Sequence, residues 1–291
     1  MPTNEQRREA AKRKLQRQLE RRAQQARRRR ILALAGAAVA VVVALAAVAA
    51  VLITRHEQHK PPTASPSTTP TSSASHPGVP ALPPFTPSAN LGKCDYPPSP
   101  EPASKQVNPP KTQNGKVPTD PPQVSVSMVT DQGNVGLLLA NAKSPCTVNS
   151  FVSLATQKFF DDTKCHRLTT SASLGVLQCG DPTGDGTGGP GYQFANEYPS
   201  DQYKPEDPAA NQPVLYPRGT LAMANSGPNT NGSQFFLVYK DSQLPPAYTV
   251  FGTIQQDGLA TLDKVAKGGV AGGGEDGAPT IPVTLKSVRL D

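Results

Sequence analysis

A run of 23 residues without a single charge, ILALAGAAVAVVVALAAVAAVLI, occupies positions 31–53. About 20 apolar residues in helical form cross the hydrocarbon core of a bilayer, so this run divides the chain into two parts in different surroundings. RRRR, residues 27–30, stands directly before it, and positive charge is retained on the cytoplasmic side. The expectation is a single-pass cell-membrane protein. Residues 1–30 lie inside as a basic cytoplasmic segment, and everything after Thr54 lies outside. The competing reading is a cleaved signal peptide with Ala47-Val48-Ala49 as its cleavage site. The run exceeds the usual signal core of roughly 7–15 residues and follows a long basic region, which favours an uncleaved anchor.

The charge distribution agrees. The chain carries 29 Lys/Arg and 22 Asp/Glu, net +7, yet residues 1–30 alone hold twelve Lys/Arg against three Glu. Residues 120–291 hold eleven Lys/Arg against sixteen Asp/Glu. A uniformly basic domain would suggest nucleic acid. A basic block beside an apolar span suggests anionic lipid headgroups instead, and no nucleic-acid partner is expected.

Residues 54–119 contain sixteen of the 32 prolines and runs such as PPTASPSTTPTSSAS. Such composition buries little, and a disordered Pro/Ser/Thr-rich linker is expected. ANLGKCDYP near its end carries Cys94, a place where the spacer can dock onto the domain C-terminal to it.

Residues 120–291 are enough for one core of ordinary size. QVSVSMVT alternates Val124, Val126 and Met128 with polar residues, and NVGLLLAN comes after the turn DQG; this pattern predicts a β-hairpin. In SPCTVNSFVSLATQKFF the apolar residues Val148, Phe151, Val152 and Ala155 fall at helical spacing, with Ser144 as N-cap and Pro145 at the first position. GVLQC, TLAMA, QFFLVY, YTVFGTI and VTLKSVRL then read as short strands between Gly, Pro and Asn clusters. The pattern predicts a mainly β domain, an antiparallel sheet closed into a barrel.

GDPTGDGTGGPGYQF, residues 180–194, concentrates glycine. No Lys and no helical pattern come after it, which excludes a P-loop. Position twelve from Asp181 is Tyr192, which excludes a calcium loop of the EF-hand kind. His166 is the one histidine after residue 120, and no CxxC pair exists, so no zinc site is expected.

Four segments settle what this loop belongs to. CHRL (165–168), QCGDPTGDGTGGPGYQFANE (178–197), LAMANSGPNTNGSQFFLVY (221–239) and YTVFGTI (248–254) occur in that order. Together they resemble the cyclophilins, peptidyl-prolyl cis-trans isomerases, over roughly residues 122–290. The anchor and spacer resemble those of membrane-attached bacterial members. The resemblance implies an eight-stranded antiparallel closed barrel capped by two helices, with the glycine loop turning tightly beside a peptide groove. It implies proline-containing polypeptide substrates, no cofactor and no metal, and a monomer assisting the folding of extracytoplasmic proteins.

An X–Pro amide rotates slowly because its C–N bond has partial double-bond character. A catalyst must favour the twisted amide, whose nitrogen becomes pyramidal and accepts a hydrogen bond. The resemblance assigns that donor to Arg167, with Gln178 orienting it and Phe236 flooring the proline pocket as the third catalytic position. It assigns substrate binding to Asn225, Ala224, Val176, Leu244, Tyr248 and Phe235. Several positions depart from the family pattern. Cys165 replaces an aromatic, Cys179 a glycine and Tyr248 a pocket histidine, while Gln243 stands where many relatives have Trp. Leu174 or Gly175 lies near the place of a pocket phenylalanine. The alternative function is a membrane-anchored, non-catalytic peptide-binding or holdase module.

The four cysteines, Cys94, Cys146, Cys165 and Cys179, all fall on the expected outer side, where disulfides persist. Three pairings are open. The motif positions of Cys165 and Cys179 imply adjacent strands and favour that bond, leaving Cys94 for Cys146.

Overall fold

The computed structural model describes residues 78–204 and 206–291. The expected membrane helix at 31–53 and the basic segment lie outside the described residues. Among the described residues no helix is long and apolar enough to cross a membrane.

The predicted hairpin forms as β1 (Val124–Thr130) and β2 (Gly133–Leu139), paired from Val124↔Leu139 to Thr130↔Gly133. Helix α1 (Pro145–Thr156) is next, then β3 (Thr163–Lys164), β4 (Arg167–Thr169) and β5 (Gly175–Cys179). After two short 3-10 turns come β6 (Val214–Tyr216), β7 (Thr220–Met223), β8 (Phe235–Lys240), β9 (Ser242–Leu244) and β10 (Val250–Ile254). Helix α2 (Gln256–Lys267), β11 (Asp276–Gly277) and β12 (Thr284–Leu290) complete the chain.

Ten strands form one antiparallel sheet in the order β11-β4-β5-β8-β7-β10-β2-β1-β12-β3, and β6 pairs with β9 apart from it. The class is mainly β with two helices, as expected. The expected eight-stranded closed barrel is corrected: the sheet curls, but its ladder ends at β11 and β3 and does not close. The reason is local. Cys165 and His166 interrupt what would be one long strand, so β3 pairs with β12 while β4 pairs with β5. The chain itself passes across the gap.

The side-chain period of two sorts the central strands into two apolar clusters. Leu177 and Cys179 of β5, Leu221 and Met223 of β7, and Phe235 and Leu237 of β8 enter the main core. Phe151 of α1 lies there against Phe160, Phe235 and Phe251, with ring centroids 5.0–5.4 Å apart. The alternate residues Val176, Ala222, Phe236 and Val238 form a second cluster with Val214 and Tyr216 on the other face.

Ser144 takes the N-cap position of α1 and Pro145 opens the helix, as expected, but the Ser144 side chain makes no capping bond. Its hydroxyl donates to the Val250 carbonyl at 2.9 Å. The free N–H groups that every helix start leaves are met from a distance. Glu197 accepts from Cys146 N at 3.0 Å, and from Thr147 N and Oγ1 at 2.8 and 2.7 Å. Burial pushes the Glu197 carboxyl up to about 7, against the pull of these three donors and with a small push from Asp201.

Residues 78–119 also depart from expectation. They belong to the same compact unit as the rest of the domain, not to a free spacer. Proline has lost its N–H but keeps its carbonyl, and three such carbonyls are among the groups that hold the segment. Leu215 N donates to Pro80 O, Tyr198 OH to Pro83 O, and Gln193 N to Pro97 O. Phe85 packs edge-on against Tyr198 at 5.7 Å, and Lys143 lies over both rings. Cys94 is bonded to Cys146 and Cys165 to Cys179, with Cα separations of 5.3 and 4.0 Å. This is the favoured pairing of the three.

Candidate active site

The second apolar cluster opens to the surface as a cavity of about 200 Å³, lined by Arg167, Leu174, Val176, Gln178, Ala224, Asn225, Phe236, Leu244 and Tyr248. These include every expected site residue except Phe235. That exception is a correction with a simple cause. Neighbours on a strand point to opposite faces, and Phe235 is wholly buried in the main core while Phe236 faces the cavity. Of the two open choices for the missing pocket phenylalanine, Leu174 lies at the wall.

Tyr248 packs edge-on against Phe236, centroids 5.7 Å apart. Tyr216, fully buried, donates to the Tyr248 carbonyl at 3.0 Å and so fixes that wall from behind. Leu82 packs against the same cluster. Asn225 donates to Ala247 O at 2.9 Å and accepts from Gly227 N at 3.2 Å. Its side chain is therefore spent on bracing the loop at the rim.

Arg167 and Gln178 stand directly opposite each other on β4 and β5. Arg167 Nη1 donates to Gln178 Oε1 at 3.1 Å. On its other edge, Nε and Nη2 donate to the two carboxylate oxygens of Asp276, each at 2.7 Å. The Asp276 carboxylate strengthens the protonation of Arg167, and the same fork holds the Asp276 carboxyl below the usual carboxylate range. Sequence reasoning missed Asp276. Its only signal is an acid inside the glycine-rich run AGGGEDG.

Gln178 in turn donates to Gln234, which donates to the carbonyls of Gly186 and Gly188 at 2.9 and 3.0 Å. The glycine loop thus braces Gln178 through Gln234. Its centre is the buried carboxylate of Asp181, which accepts from the N–H groups of Thr183, Asp185 and Gly186. At Gly188 a Cβ would fall 2.0 Å from Asp181 Oδ1. At Gly191, with φ +79°, it would fall 2.8 Å from the backbone of Ala103. Residues 97–104 run alongside this loop, with Ser99 N donating to Gly191 O and Ser104 N to Gly189 O. Ser99, Pro100 and Glu101 thereby wall a second cavity of about 520 Å³, which shares Gln178, Ala224 and Asn225 with the first.

An apolar cavity beside a guanidinium held on two edges, adjoining a larger cavity with which it shares three lining residues, is an arrangement able to take an apolar group next to a fixed hydrogen-bond donor. The comparisons name the family. The model for cyclophilin type peptidyl-prolyl cis-trans isomerase matches residues 125–290. A probable peptidyl-prolyl cis-trans isomerase B of Mycobacterium tuberculosis is 74% identical over 214 residues, covering 73% of this chain and 69% of that one. Its namesake from Mycobacterium leprae is 74% identical over 211 residues, covering 72% and 71%. A solved Cryptosporidium parvum cyclophilin type isomerase is 28% identical with a TM-score of 0.45, covering 58% of this chain and 98% of that one. The chain belongs to the cyclophilin family and is a peptidyl-prolyl cis-trans isomerase; its substrates are proline-containing polypeptides.

Proposed function

We propose that Arg167 carries the isomerisation, and that the enzyme assists the folding of polypeptides outside the cytoplasm as a monomer anchored by residues 31–53. The observation behind the mechanism is the guanidinium held on two edges at the mouth of the Phe236 cavity. A prolyl ring enters against Phe236, Val176, Leu174, Leu244 and Tyr248. Burying its three methylenes contributes about 2 kcal/mol. Arg167 then donates to the prolyl nitrogen, which can accept only as the amide twists and loses conjugation. That bond exists in the twisted state and not in either planar one, so it lowers the barrier. Gln178 keeps the guanidinium in plane. No covalent bond to the substrate forms or breaks.

The outer location is supported by RRRR ahead of the apolar run and by two disulfides, which persist in oxidising compartments. Exchange NMR on an Ala-Pro peptide tests the mechanism. Arg167→Ala should lower kcat/KM by about 10²–10³ with the fold intact; full activity in a folded variant rules Arg167 out. Protease added to intact protoplasts should release the domain, and complete protection would reverse the orientation.

A further inference from the structure

β11 lies beside β4 through Asp276↔Thr169 and Gly277↔Leu168. Arg167 is two residues from Thr169, so Asp276 and Arg167 are diagonal neighbours on one face. The strip carrying Asp276 is itself fastened: Thr170 N donates to Glu275 O at 2.9 Å, and Ala271 N to Ala278 O at 2.8 Å.

A guanidinium has five N–H donors in one rigid plane. Asp276 takes two and Gln178 takes one. One donor remains on each Nη, and three bonds from two sides fix the plane that carries them. A carboxylate this close has two opposed effects. It offsets the positive charge, and it fixes the orientation. Both side chains are substantially exposed, 39% for Arg167 and 56% for Asp276. Water therefore screens the charge effect, while the two-point geometry of the fork persists.

We infer that Asp276 is a positioning residue for isomerisation, holding the Arg167 plane so that its remaining donors face the Phe236 cavity. This rests on the proposed role of Arg167.

The full chain is compared as wild type, Asp276→Ala, Asp276→Asn, Arg167→Ala and the Asp276→Ala/Arg167→Ala double variant, with kcat and KM read by exchange NMR on the Ala-Pro peptide. Asp276→Ala should lower kcat about tenfold while KM stays within about twofold, because orientation of the donor acts in the twisted state. Asp276→Asn keeps one acceptor and should fall between Asp276→Ala and wild type. The double variant should be no slower than Arg167→Ala alone, since both changes remove one unit. Unchanged or raised kcat in Asp276→Ala overturns the inference, as do losses that multiply in the double variant. If Asp276→Ala fails to fold, Asp276→Asn carries the same comparison. Normal turnover in Arg167→Ala would instead overturn the Arg167 mechanism, so the two failures are distinguishable.

Discussion

Gln178 and Gln234 meet amide to amide, Gln178 Nε2 donating to Gln234 Oε1 at 2.9 Å. This bond joins the Arg167 edge of the cavity to the glycine loop. From Asp276 through Arg167, Gln178 and Gln234 to the carbonyls of Gly186 and Gly188, each side chain is held by the next.

Gln234→Ala removes the middle of this chain and touches no part of the apolar cavity. One hydrogen bond contributes about 0.5–1.5 kcal/mol, so kcat/KM should fall about 2–10-fold. Turnover and thermal melting of the variant check it. Unaltered turnover would show that the glycine loop does not support the site.

Adjacent phenylalanines should give opposite phenotypes. Phe235→Ala empties a fully buried place against Phe151 and Phe160 and should cost about 3–5 kcal/mol of stability. Phe236→Ala opens the cavity floor and should lower kcat/KM at least as much as it lowers stability. Denaturant midpoints and turnover on both variants decide it; the reverse ranking would mean that β8 is out of register.

Cys94–Cys146 closes a loop across 52 positions, and the chain-entropy account gives it about 4 kcal/mol. Cys94→Ser/Cys146→Ser should lose most of that, with residues 78–119 becoming sensitive to protease. Cys165–Cys179, across 14 positions, is worth about 3 kcal/mol on the same account. Non-reducing peptide mapping that finds a Cys94–Cys165 peptide, or four free thiols, contradicts both.

Glu197 predicts a pH slope. Its folded pKa of about 7 lies above the ordinary carboxylate value of 4.5, so the folded state binds the extra proton between these limits. Stability should be greatest near pH 4.5 and fall as pH rises to about 7, by at most about 3 kcal/mol. Glu197→Gln has no proton to lose, and the part of the slope due to this residue should vanish. Its overall level drops, because an amide N–H would face Thr147. Denaturant midpoints from pH 4.5 to 8 read the slope, and an identical slope in both proteins refutes it.

Most of the pocket was legible because it is built from contiguous motif strands. Residues 165–168, 175–179, 221–225 and 235–239 carry their own register, and alternation then decides which side chains share a face. Phe235 was misassigned because a motif gives identity without facing. Asp276 and Gln234 escaped because their work depends on partners more than 45 residues away in sequence. Residues 78–119 read as a spacer because proline-rich sequence shows no apolar period. What holds them is backbone and side-chain hydrogen bonding in both directions, together with Leu82, Phe85, Cys94 and Tyr96 placed singly.

The Cys94–Cys146 bond also gives the covalent chain two routes between those positions, one through the sulfurs and one through β1 and β2. Tension applied from the N-terminal side takes the short route. It peels residues 78–93 first, drawing Phe85 off Tyr198 and Leu82 from the cluster behind Phe236. Beyond Cys94 the load passes straight to the start of α1, and the hairpin inside the ring is mechanically shielded. A molecule pulled at that end loses packing around the Phe236 cavity before its sheet begins to part.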